Sequence, residues 1–116
     1  MRSLLLAAAV VAALTGSAEA ETNPANPRAY LTGDDLFDWC RASSHDACWG
    51  YVSGIADAMS VAGAGLGQRA CIPDSVRISQ AADIVQRFLL DHPEQRHFAA
   101  PGLVARALAD AFPCPQ

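Results

Sequence analysis

Two histidines lie close together in the most polar stretch of the chain, residues 91–97. They bracket Glu94, and imidazole and carboxylate groups at such a spacing could bind a metal ion or exchange protons. However, Pro93 interrupts a helix between them, and an interval of five residues does not place both imidazoles on one helical face. Two interpretations stay open: a solvated connection between helices, or a loop that contacts a partner. The candidate contact residues are His92, Glu94, Gln95, Arg96 and His97.

The other reactive side chains are four cysteines: Cys40, Cys48, Cys71 and Cys114. An even number of cysteines in a small exported domain predicts disulfides. None of their spacings is the two-to-four-residue interval of zinc ligands, so we predict no metal site. We favour Cys48–Cys71 with Cys40–Cys114, because the second bond would tie the C-terminus to the first helix. The rival pairing, Cys40–Cys48 with Cys71–Cys114, is also geometrically reasonable.

Export is predicted by the first twenty residues. Arg2 precedes an eleven-residue apolar run, 4–14, and Ala18-Glu19-Ala20 has the small-x-small pattern of a cleavage site. The run is shorter than the about 20 residues that a membrane span needs, although a retained anchor is the alternative. We therefore predict a signal peptide over 1–20, a flexible lead over 21–31 and one domain over 32–116. The processed chain would be periplasmic, with no membrane attachment.

Charge and composition exclude several classes of function. The chain has a formal net charge of −4 and contains no lysine, which disfavours nucleic acid and anionic membranes as partners and permits a basic partner. The glycine-rich stretch 62–68 lacks the lysine and the preceding strand of a phosphate loop. No nucleophile, base and orienting group can be assembled from the sequence, so we predict neither an enzyme nor a cofactor.

The central element is a helix that begins near Cys48. One stripe of large apolar side chains along this helix predicts the face that packs in the core. A second, bare stripe consists of glycine and alanine, so another helix could approach closely there. Asp57 lies late in this helix, where it could pair with an arginine or contact a partner. The core stripe is Trp49, Val52, Ile55, Ala56 and Met59, and the bare stripe is Gly50, Gly54, Ala58 and Ala62.

Three more helices follow from local signals. Thr32 and Asp35 form a capping pattern for a helix that extends to about Arg41, which explains the pair Asp34 and Asp35 better than a catalytic carboxylate pair does. Apolar periodicity predicts a third helix up to about residue 90 and a fourth from Pro101. No strand-like alternation occurs in the processed chain. The predicted fold is all-α, a small disulfide-stapled bundle of about four helices.

The order and spacing of several short motifs resemble the Rap/Tai family of periplasmic immunity proteins. The resemblance covers about residues 32–114. It departs at Arg77, where a hydroxyl side chain is expected to cap the third helix, and this shifts the expected cap to Asp74 or Ser75. The matching residues are Cys48 to Asp57 with Gly50, Tyr51 and Gly54, then Cys71-Ile72-Pro73, Val76, Gln80, His92-Pro93-Glu94, Leu103-Val104, Ala107-Leu108 and Phe112-Pro113-Cys114.

This resemblance implies a function that composition does not. Members bind peptidoglycan amidase effectors of type VI secretion systems and block their active-site clefts in the periplasm, and some act as dimers. The chain would then be an amidase inhibitor, with a homodimer permitted. The alternative is a periplasmic helical protein without a toxin partner, such as an acid-stress chaperone that exposes apolar surface at low pH.

Overall fold

Four α-helices form the framework of the protein. The computed structural model describes residues 29–62 and 67–116, so the predicted signal peptide and most of the N-terminal lead lie outside the described residues. No strand occurs in these ranges, where only an isolated bridge joins Thr32 to Ala99. The prediction of an all-α bundle of about four helices is confirmed. The helices are α1 (Gly33–Arg41), α2 (Asp46–Ala62), α3 (Ile78–Asp91) and α4 (Ala100–Ala111), with one turn of 3-10 helix at Pro93–Gln95.

The start of α1 has the predicted capping box. Thr32 Oγ1 accepts a hydrogen bond from the backbone N–H of Asp35 at 3.3 Å, and Asp35 Oδ2 accepts one from the backbone N–H of Thr32 at 2.9 Å. Two donors that helix geometry leaves unpaired are thereby satisfied. Because both partners are local in sequence, this helix start could be predicted from four residues.

The start of α3 differs from its prediction. Val76 N–H donates to the Pro73 carbonyl at 3.0 Å in a turn, and the helix begins only at Ile78. The cap residue is Arg77 itself, whose backbone N–H donates to the Gln80 side chain at 2.8 Å. The expected cap at Asp74 or Ser75 is therefore wrong: the Gln80 amide oxygen accepts from the N–H of the cap residue, and no cap side chain accepts from the first turn.

All four helices contribute to one core. Its largest fully buried aliphatic side chains come from α1 (Leu36), α2 (Val52), α3 (Val85, Leu89) and α4 (Val104, Leu108).

The orientation of α2 is only partly as predicted. Val52 and Met59 point inward, but the two glycines of the bare stripe face solvent: a Cβ added at Gly50 or Gly54 would meet no atom within 4 Å. No helix of the described part approaches these glycines, so the prediction of close helix packing there is wrong. Trp49, predicted as part of the core stripe, is an exposed residue with 37% of its surface accessible, so this part of the prediction is wrong.

The disulfide pairing that we favoured is also wrong. The structure joins Cys40 to Cys48 and Cys71 to Cys114, with Cα–Cα distances of 4.8 and 4.9 Å. Cys40 lies in the last turn of α1 and Cys48 in the first turn of α2, so a four-residue connection already brings them together. The other bond is set by the C-terminus, because the N–H of Cys71 donates to the Phe112 carbonyl at 2.8 Å.

Candidate partner-contact surface

The polar segment 91–97 is a tight connection between α3 and α4. The N–H of His92 donates to the Phe88 carbonyl at 3.0 Å, which closes α3. The chain then makes one 3-10 turn, with Gln95 N–H donating to the His92 carbonyl at 3.0 Å and Phe98 N–H donating to the Gln95 carbonyl at 2.9 Å. Its backbone is therefore held by consecutive turns.

Arg96 anchors this segment to the helices beneath it. Its Nε donates to the Leu89 carbonyl at 2.7 Å, so it satisfies an acceptor near the end of α3. Its guanidinium carbon lies 4.1 Å from the centre of the Phe37 ring, a cation–π contact, and NH1 lies 4.0 Å from the Asp34 carboxylate. Because only 20% of the side chain is exposed, Arg96 serves the fold more directly than it serves a partner.

The segment is also attached to the first turn of α1. Gly33 N–H donates to the Phe98 carbonyl at 2.9 Å, and Asp34 N–H donates to the Arg96 carbonyl at 2.8 Å. A Cβ at Gly33 would lie 2.5 Å from Leu103 Cδ1 and 2.8 Å from the Arg96 oxygen. Glycine is thus required at this position for the two backbones to meet.

The remaining polar side chains of the segment reach the surface: Glu94 and His97 are exposed, and His92 and Gln95 are half-buried. His92 Nδ1 lies 3.2 Å from Glu94 Oε1, and the His92 ring packs on Phe88 with 4.5 Å between ring centres. The Gln95 amide lies 3.5 Å from Glu94, and His97 packs on the Phe98 ring. The Glu94 backbone N–H and the His92 side chain lower the pKa of the Glu94 carboxyl, which is therefore charged at neutral pH.

This arrangement suits recognition by hydrogen bonds. A rigid backbone presents a carboxylate, an amide and two imidazoles, which together offer both donors and acceptors. In the described part of the chain, no group of three His, Cys, Asp or Glu side chains is placed to hold a metal ion.

The motif residues of α2 and Pro73 occupy three different settings. Gly50 and Gly54 are exposed, and Tyr51 is half-buried against the core, where burial raises the pKa of its phenol. The Pro73 carbonyl accepts the hydrogen bond from Val76 N–H in the turn that leads into α3. Asp57 lines an open groove of about 490 Å³ between α2 and α3.

Two exposed tryptophans were not anticipated from the sequence. Trp39 and Trp49 expose 39% and 37% of their surfaces, and each is next in sequence to one cysteine of the Cys40–Cys48 disulfide. Trp39 packs edge-on against Tyr51, and the His45 ring stacks on Trp49. Neighbouring residues of an α-helix lie about 100° apart, so a buried cysteine does not fix the exposure of the residue beside it, and no sequence signal identified these two rings.

A comparison with models of known protein families shows which family the chain matches. The family model described as Rap1a immunity proteins matches residues 32–114, which includes all four helices and both disulfides. The chain belongs to the Rap1a immunity family. The suspected family resemblance is thereby confirmed. Among curated proteins and among solved structures, none matched the chain.

Membership in the Rap1a family directs attention to protein contacts. In the described residues, no helix is long and apolar enough to cross a membrane. Three surface features are candidates for such contacts: the polar 91–97 segment, the Asp57 groove and the exposed tryptophans.

Proposed function

We propose that this Rap1a family member is a periplasmic immunity protein that binds a peptidoglycan amidase effector of a type VI secretion system and blocks its cleft. The carrying observation is the family match over residues 32–114. The amidase target and the periplasmic site of action come from the resemblance and from the predicted signal peptide. In this proposal the chain performs no reaction and acts by occupying the effector.

The 91–97 segment is our candidate for the part that enters the cleft. Its support is a rigid backbone, because a loop that is already ordered loses little entropy on binding. His92, Glu94, Gln95 and His97 would supply the contacts. Arg96 would hold the segment in shape through the Leu89 carbonyl and the Phe37 ring.

The first test uses the tagged, oxidised protein to capture its partners from the periplasmic extract of a strain that carries the effector. We expect a small amidase to be retained in near-stoichiometric amounts and its peptidoglycan hydrolysis to be inhibited by the purified protein. If no amidase is retained and none is inhibited, the immunity function is contradicted and the partner-free periplasmic protein becomes the better hypothesis.

The second test concerns the segment itself. The variant with His92→Ala, Glu94→Ala and His97→Ala should lose affinity for the amidase by at least about tenfold, as truncation of interface hot spots does. Its melting temperature should change little, because Glu94 and His97 are exposed and His92 is only half-buried. The control is Arg106→Ala with Asp110→Ala, which removes an exposed ion pair on α4. If both variants bound the amidase with equal affinity, the contact would have to lie elsewhere on the protein.

A further inference from the structure

The Asp57 groove is a concave site outside the 91–97 segment. Its lining includes apolar side chains from α2, α3 and the chain before α3, such as Met59, Ile72 and Val76. Ser53, Asp57 and Ser60 line it from α2. Together with Arg77, the groove combines apolar surface with hydroxyls, one carboxylate and one guanidinium.

The charge of this groove specifies the kind of group that fits. Among residues 29–62 and 67–116, no basic side chain lies within ion-pair distance of Asp57. Asp57 and Asp46 are the only charged residues of α2. Arg77 also lines the groove, from the segment before α3, so an entering cation would have to lie beside Asp57 and away from this guanidinium. An arginine or lysine has the matching form, with an aliphatic stem for the apolar surface and a cation for the carboxylate.

The outward face of α2 continues this surface toward the Cys40–Cys48 disulfide. Ser53 and Trp49 precede Asp57 by one and two helical turns, so the three side chains follow one another along the helix. Gly50 lies beside them without a side chain. A partner segment could therefore lie close to the backbone of α2, between an aromatic ring and a carboxylate. Tryptophan is enriched among interface hot spots, and here the adjacent disulfide and the His45 ring restrain it.

We propose that this surface is a second docking site for the effector and that it takes a basic segment, whose arginine or lysine enters the groove and pairs with Asp57. The inference rests on the proposed function. Its chemistry agrees with an enzyme of peptidoglycan, because a protein that binds a polymer bearing carboxylates is expected to have basic side chains around its cleft.

Asp57→Asn tests the charge, with the amidase recovered in the capture experiment as the probe. We expect affinity to fall by about tenfold or more at low salt, with a smaller loss at high salt, since screening already weakens the wild-type contact there. The melting temperature should stay equal or rise slightly, because a carboxylate late in a helix opposes the helix dipole. Asp83→Asn, an exposed change on α3, is the matched control.

Gly50→Gln tests the approach to the backbone. A Cβ at Gly50 and one at Gly102 of α4 would both meet no atom within 4 Å, so both glutamines should be tolerated by the fold. Gly50→Gln should weaken binding by about tenfold or more, whereas Gly102→Gln should leave it unchanged. Fluorine NMR of 5-fluorotryptophan-labelled protein adds a direct readout, because the chain has only two tryptophans. We expect the Trp49 resonance to shift when unlabelled amidase is added.

Several results would overturn this docking site. Wild-type affinity in both Asp57→Asn and Gly50→Gln, with an unmoved Trp49 resonance, would reject it while leaving the immunity function intact. A Trp49 resonance that moves with protein concentration alone would assign the surface to a second copy of this chain. Failure of the wild-type protein to bind any amidase would reject the proposed function, and the docking site with it.

Discussion

The guanidinium of Arg96 lies over the ring of Phe37, 4.1 Å from its centre, while the Arg96 Nε donates to the Leu89 carbonyl. A single side chain thus connects the α3–α4 segment to α1 and to the end of α3. The arginine guanidinium is planar and carries several donors, so it can lie on a ring and donate a hydrogen bond at the same time. The compact ammonium group of lysine cannot make both contacts in this way.

Replacement of Arg96 should therefore weaken the fold. We expect Arg96→Ala to lower the free energy of unfolding by about 1–3 kcal/mol, from the lost cation–π contact and hydrogen bond. Arg96→Lys should recover only part of this loss. Urea unfolding measures the effect, with Arg87→Ala on the exposed side of α3 as control. Equal stabilities of the two alanine variants would contradict the anchoring role.

Replacement by alanine should change the stability of the protein in opposite directions at two glycines. Gly33→Ala forces a Cβ against Leu103 and the Arg96 carbonyl, and we expect it to cost about 1–3 kcal/mol of stability. Gly54→Ala adds a Cβ in open space on a helix, and we expect it to gain up to about 1 kcal/mol. Thermal unfolding of the two variants beside the wild type measures both. A destabilised Gly54→Ala would mean that this face of α2 is covered.

The capping box gives the stability a dependence on pH. Hydrogen bonds from the Thr32 backbone N–H and then from its hydroxyl lower the pKa of Asp35 below its ordinary value of 3.8. A lowered folded-state pKa contributes stability that is fully present above the unfolded value and is lost as the pH falls through the folded value. The difference in melting temperature between wild type and Asp35→Asn should therefore persist at pH 6 and shrink below about pH 4.

Asp83→Asn serves as the comparison for this measurement, since Asp83 is an exposed residue of α3. Its melting temperature should follow that of the wild type at every pH. A difference between Asp35→Asn and wild type that stays constant down to pH 2 would show that the Asp35 charge does not support the cap.

The two disulfides should open in a fixed order under reducing conditions. Cys40 and Cys48 are each only 2% exposed, whereas Cys71 is exposed and Cys114 is half-buried. Since an attacking thiolate must reach a sulfur atom, Cys71–Cys114 should be reduced first. Dithiothreitol at native conditions, followed by alkylation and mass spectrometry of timed samples, measures the order. Earlier alkylation of Cys40 and Cys48 would contradict the burial argument.

Local signals in the sequence predicted much of this fold, and long-range relationships account for the errors. Thr32 and Asp35 predicted a helix start because both capping partners lie within one turn. The bare stripe of Gly50 and Gly54 was assigned to a helix contact because periodicity defines faces without saying which face meets a neighbour. The cysteine pairing failed for a related reason: it depends on how the helices are arranged, which spacing alone does not determine.

The candidate surface was predicted less completely than the fold. The polarity of residues 91–97 marked a connection between helices, but the inward role of Arg96 depends on Phe37 and Leu89, which are remote in sequence or on another helix. Asp57 was noticed for its unfavourable place in the helix. That it lines a groove follows only from the packing of α2 beside α3.

The cysteine connectivity has a consequence for how the protein matures. The first cysteine pairs with the second and the third with the fourth, so the two covalent loops neither overlap nor enclose one another. An oxidant that joins cysteines in the order in which they emerge from synthesis makes both native bonds directly, with no reshuffling by an isomerase. Cleavage after Arg69, between the loops, would leave two internally bonded fragments held together only by noncovalent contacts, chiefly the shared core and the hydrogen bonds between α1 and the 91–97 segment.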